Sequence, residues 1–253
     1  MAFSLKLGNV LHTAPCSLTP SSWDNELELK HKVGGPVSGP SQPNQLVAMA
    51  SKHVDDIKLA GEPKEVATIV QHIERTFGEL KKHYDTFTNC GIRHTRHSDG
   101  SITMDQDEYI QALCPITHTE LTRTNLHNQA SEQLQQLFAS LLGAAAYALL
   151  AQHNMAVFIV NLQRQKTKLL VRHVRQLNIV VKAMKKQPAR IQYPAMKCDR
   201  HLVIHSDGSF RKEENTGYGM RGANYLRVGR HAKDNTPCCN LLDSVCRTHK
   251  LFC

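Results

Sequence analysis

The spacing of apolar residues changes near Pro188, and this change constrains the fold more than any other feature. Before it, the stretch 169–186 places apolar side chains on one side of a helix with 3.6 residues per turn. After it, short apolar runs at 191–193, 202–205 and 218–227 are separated by glycines, a pattern typical of strands. This change of period predicts a domain boundary near residues 188–199.

The sequence before residue 169 predicts a β-hairpin and several further elements. Apolar runs at 45–54 and 57–60 flank two adjacent aspartates, which predicts a hairpin with carboxylates at its tip. A helix over 64–82 follows, with Pro63 suited to its first turn. The other predicted elements are a strand at 84–94, a turn at 98–100, a strand at 101–104, a helix at 105–113 capped by Asp105, and a helical stretch at 128–164 broken near His153.

These elements divide the chain into three predicted segments. Gly34-Gly35-Pro36 and Gly39-Pro40 have linker chemistry, so residues 1–44 are predicted to be irregular. Residues 45–187 hold the hairpin and the helices. Residues 188–253 hold the later strands.

The sequence shows no recognisable secretory signal and no membrane span. We therefore expect an intracellular protein of the cytoplasm or nucleus with no membrane partner. Residues 1–18 lack a basic start followed by an apolar core. The longest apolar run, 138–151, is shorter than the ~20 residues of a membrane-spanning helix, so a buried helix is predicted there. The eight cysteines are then expected to be reduced. A minor alternative is a zinc site at the C-terminus, whose spacing departs from zinc-finger patterns: Cys239, Cys246, His249 and Cys253.

Positive charge is concentrated in one part of the chain. The formal net charge is +9, and between Asn161 and Arg200 there are eleven Lys or Arg but a single acid, Asp199. Such a block predicts contact with nucleic-acid phosphates, although a solvated helix surface is the simpler alternative. The residues predicted to contact phosphates are Lys168, Arg172, Arg175, Lys182, Lys185 and Lys186.

The tetrapeptide His53-Val54-Asp55-Asp56 is the sharpest local motif. Two adjacent carboxylates at a tight turn repel each other unless a cation or solvent compensates their charge. Carboxylate oxygens suit Mg²⁺, and in two-metal phosphoryl transfer they hold the ions that activate the attacking hydroxyl. A solvated Asp-Asp turn is the alternative, and the tetrapeptide alone favours it.

The order of several motifs along the chain gives the tetrapeptide a context. Residues 53–61 and the helix that follows, with Phe77, resemble the palm of copia-type retrotransposon reverse transcriptases, where tyrosine usually stands in place of His53. The resemblance covers roughly residues 45–251. Its further matches are 90–92, 100–106, 109–110 and 142–148 in the polymerase part, and 205–210, 217–218 and 240–250 in the opening of the ribonuclease H domain.

The resemblance implies a fold and a set of site residues. The expected fold is α+β. It consists of part of a reverse transcriptase palm and a helical thumb or connection over 45–187, followed by an incomplete ribonuclease H-like sheet over 188–253. Asp55 and Asp56 would be catalytic and hold Mg²⁺ in the polymerase site, and Asp207 would be the first metal ligand of the ribonuclease H site. The implied partners are an RNA template, an RNA–DNA hybrid and the rest of a Pol polyprotein.

Parts of both implied active sites are missing from this sequence. The polymerase site needs a third carboxylate from an earlier strand, and no segment before His53 resembles that strand. The next ribonuclease H ligand would lie beyond Cys253. The sequence therefore predicts a truncated fragment of an RNA-directed DNA polymerase that is inactive alone. The alternative is a non-catalytic nucleic-acid-binding protein that uses the basic helix 168–186.

Overall fold

A computed structural model describes residues 2–22, 24, 26–32, 45–53, 56–123, 125–208 and 218–250. The chain is mixed α and β with antiparallel sheets, which confirms the α+β prediction at that level. It forms two compact units, residues 1–82 and residues 83–253. These units differ from the predicted segments, because residues 1–44 and the hairpin share one unit, and the strands after residue 188 share the other with the helices.

Within its described residues, the first unit contains two helices and a four-stranded antiparallel sheet of order β1-β2-β3-β4. Its elements are α1 (Ala2–His12), β1 (Thr19–Pro20), β2 (Leu27–His31), β3 (Leu46–His53), β4 (Asp56–Gly61) and α2 (Pro63–Phe77). The prediction of an irregular segment over 1–44 was therefore wrong for α1, β1 and β2. The linker-like residues 33–44 of that segment lie outside the described residues.

The helices of the first unit cover one face of its sheet. Ala50 pairs with Leu59 across β3 and β4, and both belong to an apolar cluster that includes Leu11 of α1 and Ile69 of α2. Because side chains alternate along a strand, the residues between these positions face the other side of the sheet. Three exposed residues on that side are Ser51, His53 and Asp56.

Helix α2 begins where the sequence predicted but ends earlier. Pro63 occupies its first turn, where the missing N–H costs no hydrogen bond. The helix ends at Phe77 and not at residue 82, because Gly78 takes a φ of 90° and its N–H donates to the Glu74 carbonyl. Glycine reaches this backbone conformation at low cost, so it stops the helix.

The second unit contains five helices and two antiparallel sheets, of order β5-β6-β7-β8 and β9-β10-β11, in the part of the chain that the structure describes. Its elements are β5 (Thr86–Asn89), β6 (Ile92–Arg96), β7 (Ile102–Asp105), α3 (Asp107–Ala112), α4 (Glu120–Arg123), α5 (Glu132–Tyr147), α6 (Ala156–Arg164), α7 (Val171–Lys186), β8 (Ile191–Tyr193), β9 (Met196–Gly208), β10 (Tyr218–His231) and β11 (Pro237–Lys250).

Local chemistry explains where these elements agree with the sequence and where they differ. The predicted strand at 84–94 is two strands, because Cys90 and Gly91 form a turn with φ of 48° and 68°. Two positive φ values in a two-residue loop fit the twist of a hairpin. The predicted break near His153 is confirmed by a short 3₁₀ turn, His153–Met155, just before α6.

The core of the second unit lies between α5, α6 and α7. Phe138, Ile159 and Leu177 come from these three helices and are almost fully buried. One described helix, Glu132–Leu150, is long and apolar enough to span a membrane. About a third of it, 33%, is buried and contributes to this core, so the predicted buried helix is buried on one face only.

Candidate metal, nucleic-acid and cavity sites

The hairpin that carries the aspartate pair is formed. His53 pairs with Asp56, so Val54 and Asp55 are the two residues that join the strands. Both of these lie outside the described residues, and the position of the Asp55 carboxylate is not described. Asp56 is the first residue of β4 and is exposed, so an ion or ligand can reach its carboxylate.

Asp207, the predicted ribonuclease H ligand, lies near the end of β9. Its side chain is exposed, and one carboxylate oxygen accepts a hydrogen bond of 2.8 Å from the N–H of Gly208. The other oxygen is not used by that bond. Asp207 also lines an open cavity of about 360 Å³ at the end of the sheet β9-β10-β11.

The described residues do not gather a complete metal site. No group of three or more His, Cys, Asp or Glu is placed to hold one ion within the described part of the chain. Asp56 and Asp207 each supply one carboxylate in its own unit. Carboxylate oxygens suit Mg²⁺ chemically, so both residues fit as single ligands of a site that other segments would have to complete.

The C-terminal cysteines do not form a zinc site in this conformation. Cys239 and Cys246 lie on the same extended strand, β11, seven residues apart. At ~3.3 Å per residue their backbones are separated by roughly 20 Å, whereas a zinc ion needs each sulfur within ~2.3 Å. The side chain of His249 and the whole of Cys253 lie outside the described residues.

The six predicted phosphate-contacting residues separate into two groups on and beside α7. Arg175 donates from Nε to the Leu121 carbonyl at 2.9 Å, and Lys185 donates to the Leu113 carbonyl at 2.9 Å. These two cations satisfy carbonyl groups of their own chain. Arg175 is exposed all the same, and so are the other four residues: Lys168, Arg172, Lys182 and Lys186.

A shallow groove runs beside the exposed cations of α7. It has a volume of about 340 Å³ and lies between α7 and residues 116–122. Arg175 and Lys182 line it, and no carboxylate is among its lining residues. Ile179 stands between these two cations on the same helix and is 65% exposed. A positive groove without acids attracts phosphates and has an apolar contact point at its centre.

The cavity beside Asp207 contains a set of side chains that sequence reasoning missed. Asn224 of β10 pairs with His205 on one side and with Ser244 on the other, so the three side chains lie in one row. Gly222 pairs with Asp207 and Cys246 in the neighbouring row. Gly222 has no side chain, which leaves the space that the cavity occupies.

His153 lines this cavity from the 3₁₀ turn just before α6. Its Nδ1 lies 2.7 Å from Ser244 Oγ. Burial lowers the pKa of His153, and the charge of Asp243 opposes this effect in part. Burial also raises the pKa of Cys246 at the other end of the cavity. The sequence carried no signal for the pair, because His153 and Ser244 are 91 positions apart and meet only when α6 packs on β11.

No protein family, curated protein or solved structure matches this chain.

Proposed function

We propose that this chain is a piece of a copia-type reverse transcriptase that binds template and primer but does not polymerise alone. The observation that carries the proposal is the β3–β4 hairpin, which joins through the two residues Val54 and Asp55. Helices cover one face of its sheet and Asp56 is exposed on the other. A polynucleotide needs this kind of open face to approach the carboxylates.

The chemistry of the proposed polymerase site depends on a segment outside this chain. Asp55 and Asp56 would hold Mg²⁺ together with a third carboxylate from another part of the Pol polyprotein. The bound ion would lower the pKa of the primer hydroxyl and neutralise charge on the phosphates. In this proposal Asp55 and Asp56 supply oxygen ligands. The pairing of β3 with β4 holds the backbone of Asp56 in place.

The antiparallel sheet β9-β10-β11 supports the ribonuclease H part of the proposal. Three consecutive strands pair in order, and Asp207 lies exposed near the end of the first. In this proposal Asp207 is one ligand of a second Mg²⁺ site. Its remaining ligands would come from other segments of the ribonuclease H domain.

The exposed cations of α7 give the proposal its contact with nucleic acid. Lys182 and Lys186 are one helical turn apart on the same face, and Arg172 lies on the adjacent part of that face. Phosphates of an RNA template or an RNA–DNA hybrid would lie along these cations without base contacts. Such a protein would act in the cytoplasm or nucleus, where its template is found.

Primer extension on an RNA template tests the enzymatic proposal. The full chain would be mixed with a separately expressed upstream fingers-and-palm segment, with and without Mg²⁺. We expect extension only from the mixture with Mg²⁺, and its loss with Asp55→Ala. Glu79→Ala, which removes an exposed carboxylate outside the hairpin, is the matched control. Extension that survives Asp55→Ala would contradict the assigned role of the pair.

A second candidate function is non-catalytic binding of nucleic acid, and the acid-free groove beside α7 favours it. Binding of an RNA–DNA hybrid without any extension would support this candidate. The double variant Lys182→Ala/Lys186→Ala should reduce the slope of log affinity against log salt by about 2, because each phosphate contact contributes about 1. Lys233→Ala, an exposed lysine in the turn after β10, should leave the slope unchanged.

A further inference from the structure

The cavity between α6 and the sheet β9-β10-β11 has the parts of a nucleophilic site. A hydroxyl and an imidazole lie within hydrogen-bond distance, since Ser244 Oγ is 2.7 Å from His153 Nδ1. Both residues line a cavity that opens to solvent. We propose that Ser244 is a nucleophile activated by His153 and that the cavity hydrolyses small uncharged carboxylic esters. This activity is independent of the proposed polymerase function.

The environment of His153 keeps it able to accept a proton. Its pKa is lowered by burial, so at neutral pH the ring is neutral. With the proton on Nε2, Nδ1 accepts the hydrogen bond from the Ser244 hydroxyl. The charge of Asp243 acts on the ring and favours the imidazolium that forms when the serine proton is transferred.

The reaction proceeds through an acyl-serine. Ser244 Oγ attacks the ester carbonyl carbon while its proton moves to His153 Nδ1. The bond from this carbon to the alcohol oxygen breaks, and the alcohol leaves with the proton from His153. A water molecule then gives a proton to His153 and attacks the acyl carbon. The carboxylic acid is released and the proton returns to Ser244 Oγ.

The same cavity contains a donor for the oxygen that becomes negative. Asn224 pairs directly with Ser244 in the register of β10 and β11, and both side chains line the cavity. Side chains in such pairs are ~5 Å apart at Cβ, so the Asn224 amide can reach the carbonyl oxygen of an ester held at Ser244. The first turn of α6 forms another wall and adds the partial positive charge of a helix N-terminus.

The charges of the cavity determine the class of ester. Asp207 lines it, and no Lys or Arg is among the described residues of its lining. Without a bound cation, this carboxylate would repel an anionic substrate such as a phosphodiester. A volume of about 360 Å³ accommodates a short acyl chain with a small alcohol, which favours uncharged esters such as p-nitrophenyl acetate.

Covalent labelling of the full chain tests the proposal directly. The protein would be treated with a fluorophosphonate probe, and the modified peptide identified by mass spectrometry. We expect one adduct, on Ser244, and hydrolysis of p-nitrophenyl acetate that needs neither Mg²⁺ nor nucleic acid. No adduct on Ser244 in folded wild-type protein, or no hydrolysis above that of free imidazole, would overturn the proposal.

Variants separate catalysis from a structural hydrogen bond. Ser244→Ala and His153→Gln should each lower kcat/KM at least about 100-fold, the usual scale for a lost general base. Asn224→Ala should lower kcat about 100-fold with little change in KM, as for other oxyanion donors. Ser51→Ala is the matched control, because Ser51 is an exposed serine of β3 in the first unit and does not line the cavity. If Ser244→Ala fails to fold, the residue that the fluorophosphonate probe modifies in the wild-type protein tests the proposal instead.

Discussion

Helix α7 and the sheet β9-β10-β11 belong to the same unit but differ in the interactions that stabilise them. Seven residues of α7 are buried in the core. Among the described side chains of the sheet, only Asn240 is similarly buried, while Leu202 and Ile204 are 64% and 54% exposed. The helix is held mainly by apolar burial and the sheet mainly by backbone hydrogen bonds between long strands. The loosely covered sheet leaves its polar side chains accessible to ligands.

The largest expected effect comes from the same truncation made in both regions. Leu177→Ala removes a fully buried side chain of α7 and should lower the free energy of unfolding by about 2–5 kcal/mol. Leu202→Ala removes an exposed side chain of β9 and should change it by less than about 0.5 kcal/mol. Urea denaturation of the two variants measures the difference. Equal losses would show that the sheet is packed against something that the described residues do not reveal.

A smaller effect is expected at the polar contact that holds residue 116 to α7. Asn178 donates to the Ile116 carbonyl at 2.8 Å and accepts from the Ile116 N–H at 2.8 Å. Asn178→Ala would leave both backbone groups without this partner and should cost about 1–3 kcal/mol. Asn224→Ala in the sheet is the comparison, with a change of less than about 0.5 kcal/mol. A loss at Asn178 no larger than at Asn224 would contradict the contrast between helix and sheet.

Two neighbouring lysines of α7 test the division between structural and exposed cations. Lys185 donates to the Leu113 carbonyl at 2.9 Å, whereas Lys186 is exposed. Lys185→Ala should cost about 0.5–1.5 kcal/mol of stability, and Lys186→Ala should be nearly neutral. Thermal denaturation measures the loss of stability. In titrations with RNA–DNA hybrid, Lys186→Ala should lower the affinity more than Lys185→Ala does. A larger loss of stability in Lys186→Ala than in Lys185→Ala would contradict this distinction between structural and exposed lysines.

The smallest expected effect is a pH dependence that originates in α7. Burial lowers the pKa of His173, and the charge of Arg172 lowers it further. The unfolded chain therefore takes up a proton before the folded chain does, so stability should fall as pH drops below the ordinary histidine pKa of ~6.5. His173 Nδ1 accepts from the Leu170 N–H, which protonation would disrupt. Denaturation of wild type and His173→Gln at pH 7.5 and 5.5 should show a smaller loss in the variant.

Local chemistry made much of the fold predictable. Apolar spacing placed α2 and α7, and Ser98-Asp99-Gly100 marked the turn before β7. The N-terminal segment was missed because α1 has a weak pattern, and its Leu7 and Leu11 become core residues only against Ile69 and Ala50. The short strands around Cys90 were merged because cysteine is not a residue that usually signals a turn.

The candidate sites were predictable only in part. The sequence located the hairpin with Asp56 and the basic helix, since both are local patterns. It could not separate Arg175 and Lys185, which donate to carbonyl groups more than 50 positions away, from the exposed Lys182 and Lys186. A lysine or arginine in a helix looks the same in the sequence whether it donates to a backbone carbonyl of its own chain or is exposed to a phosphate.

The sequence by itself determined where helices and strands form and where positive charge collects, because periodicity, turn residues and charge act over a few neighbouring positions. Tertiary structure alone decided which polar groups meet. Ser244 reaches His153 because three strands pair in one register and α6 packs across them. Such contacts depend on long-range packing, and no local pattern of residues encodes them.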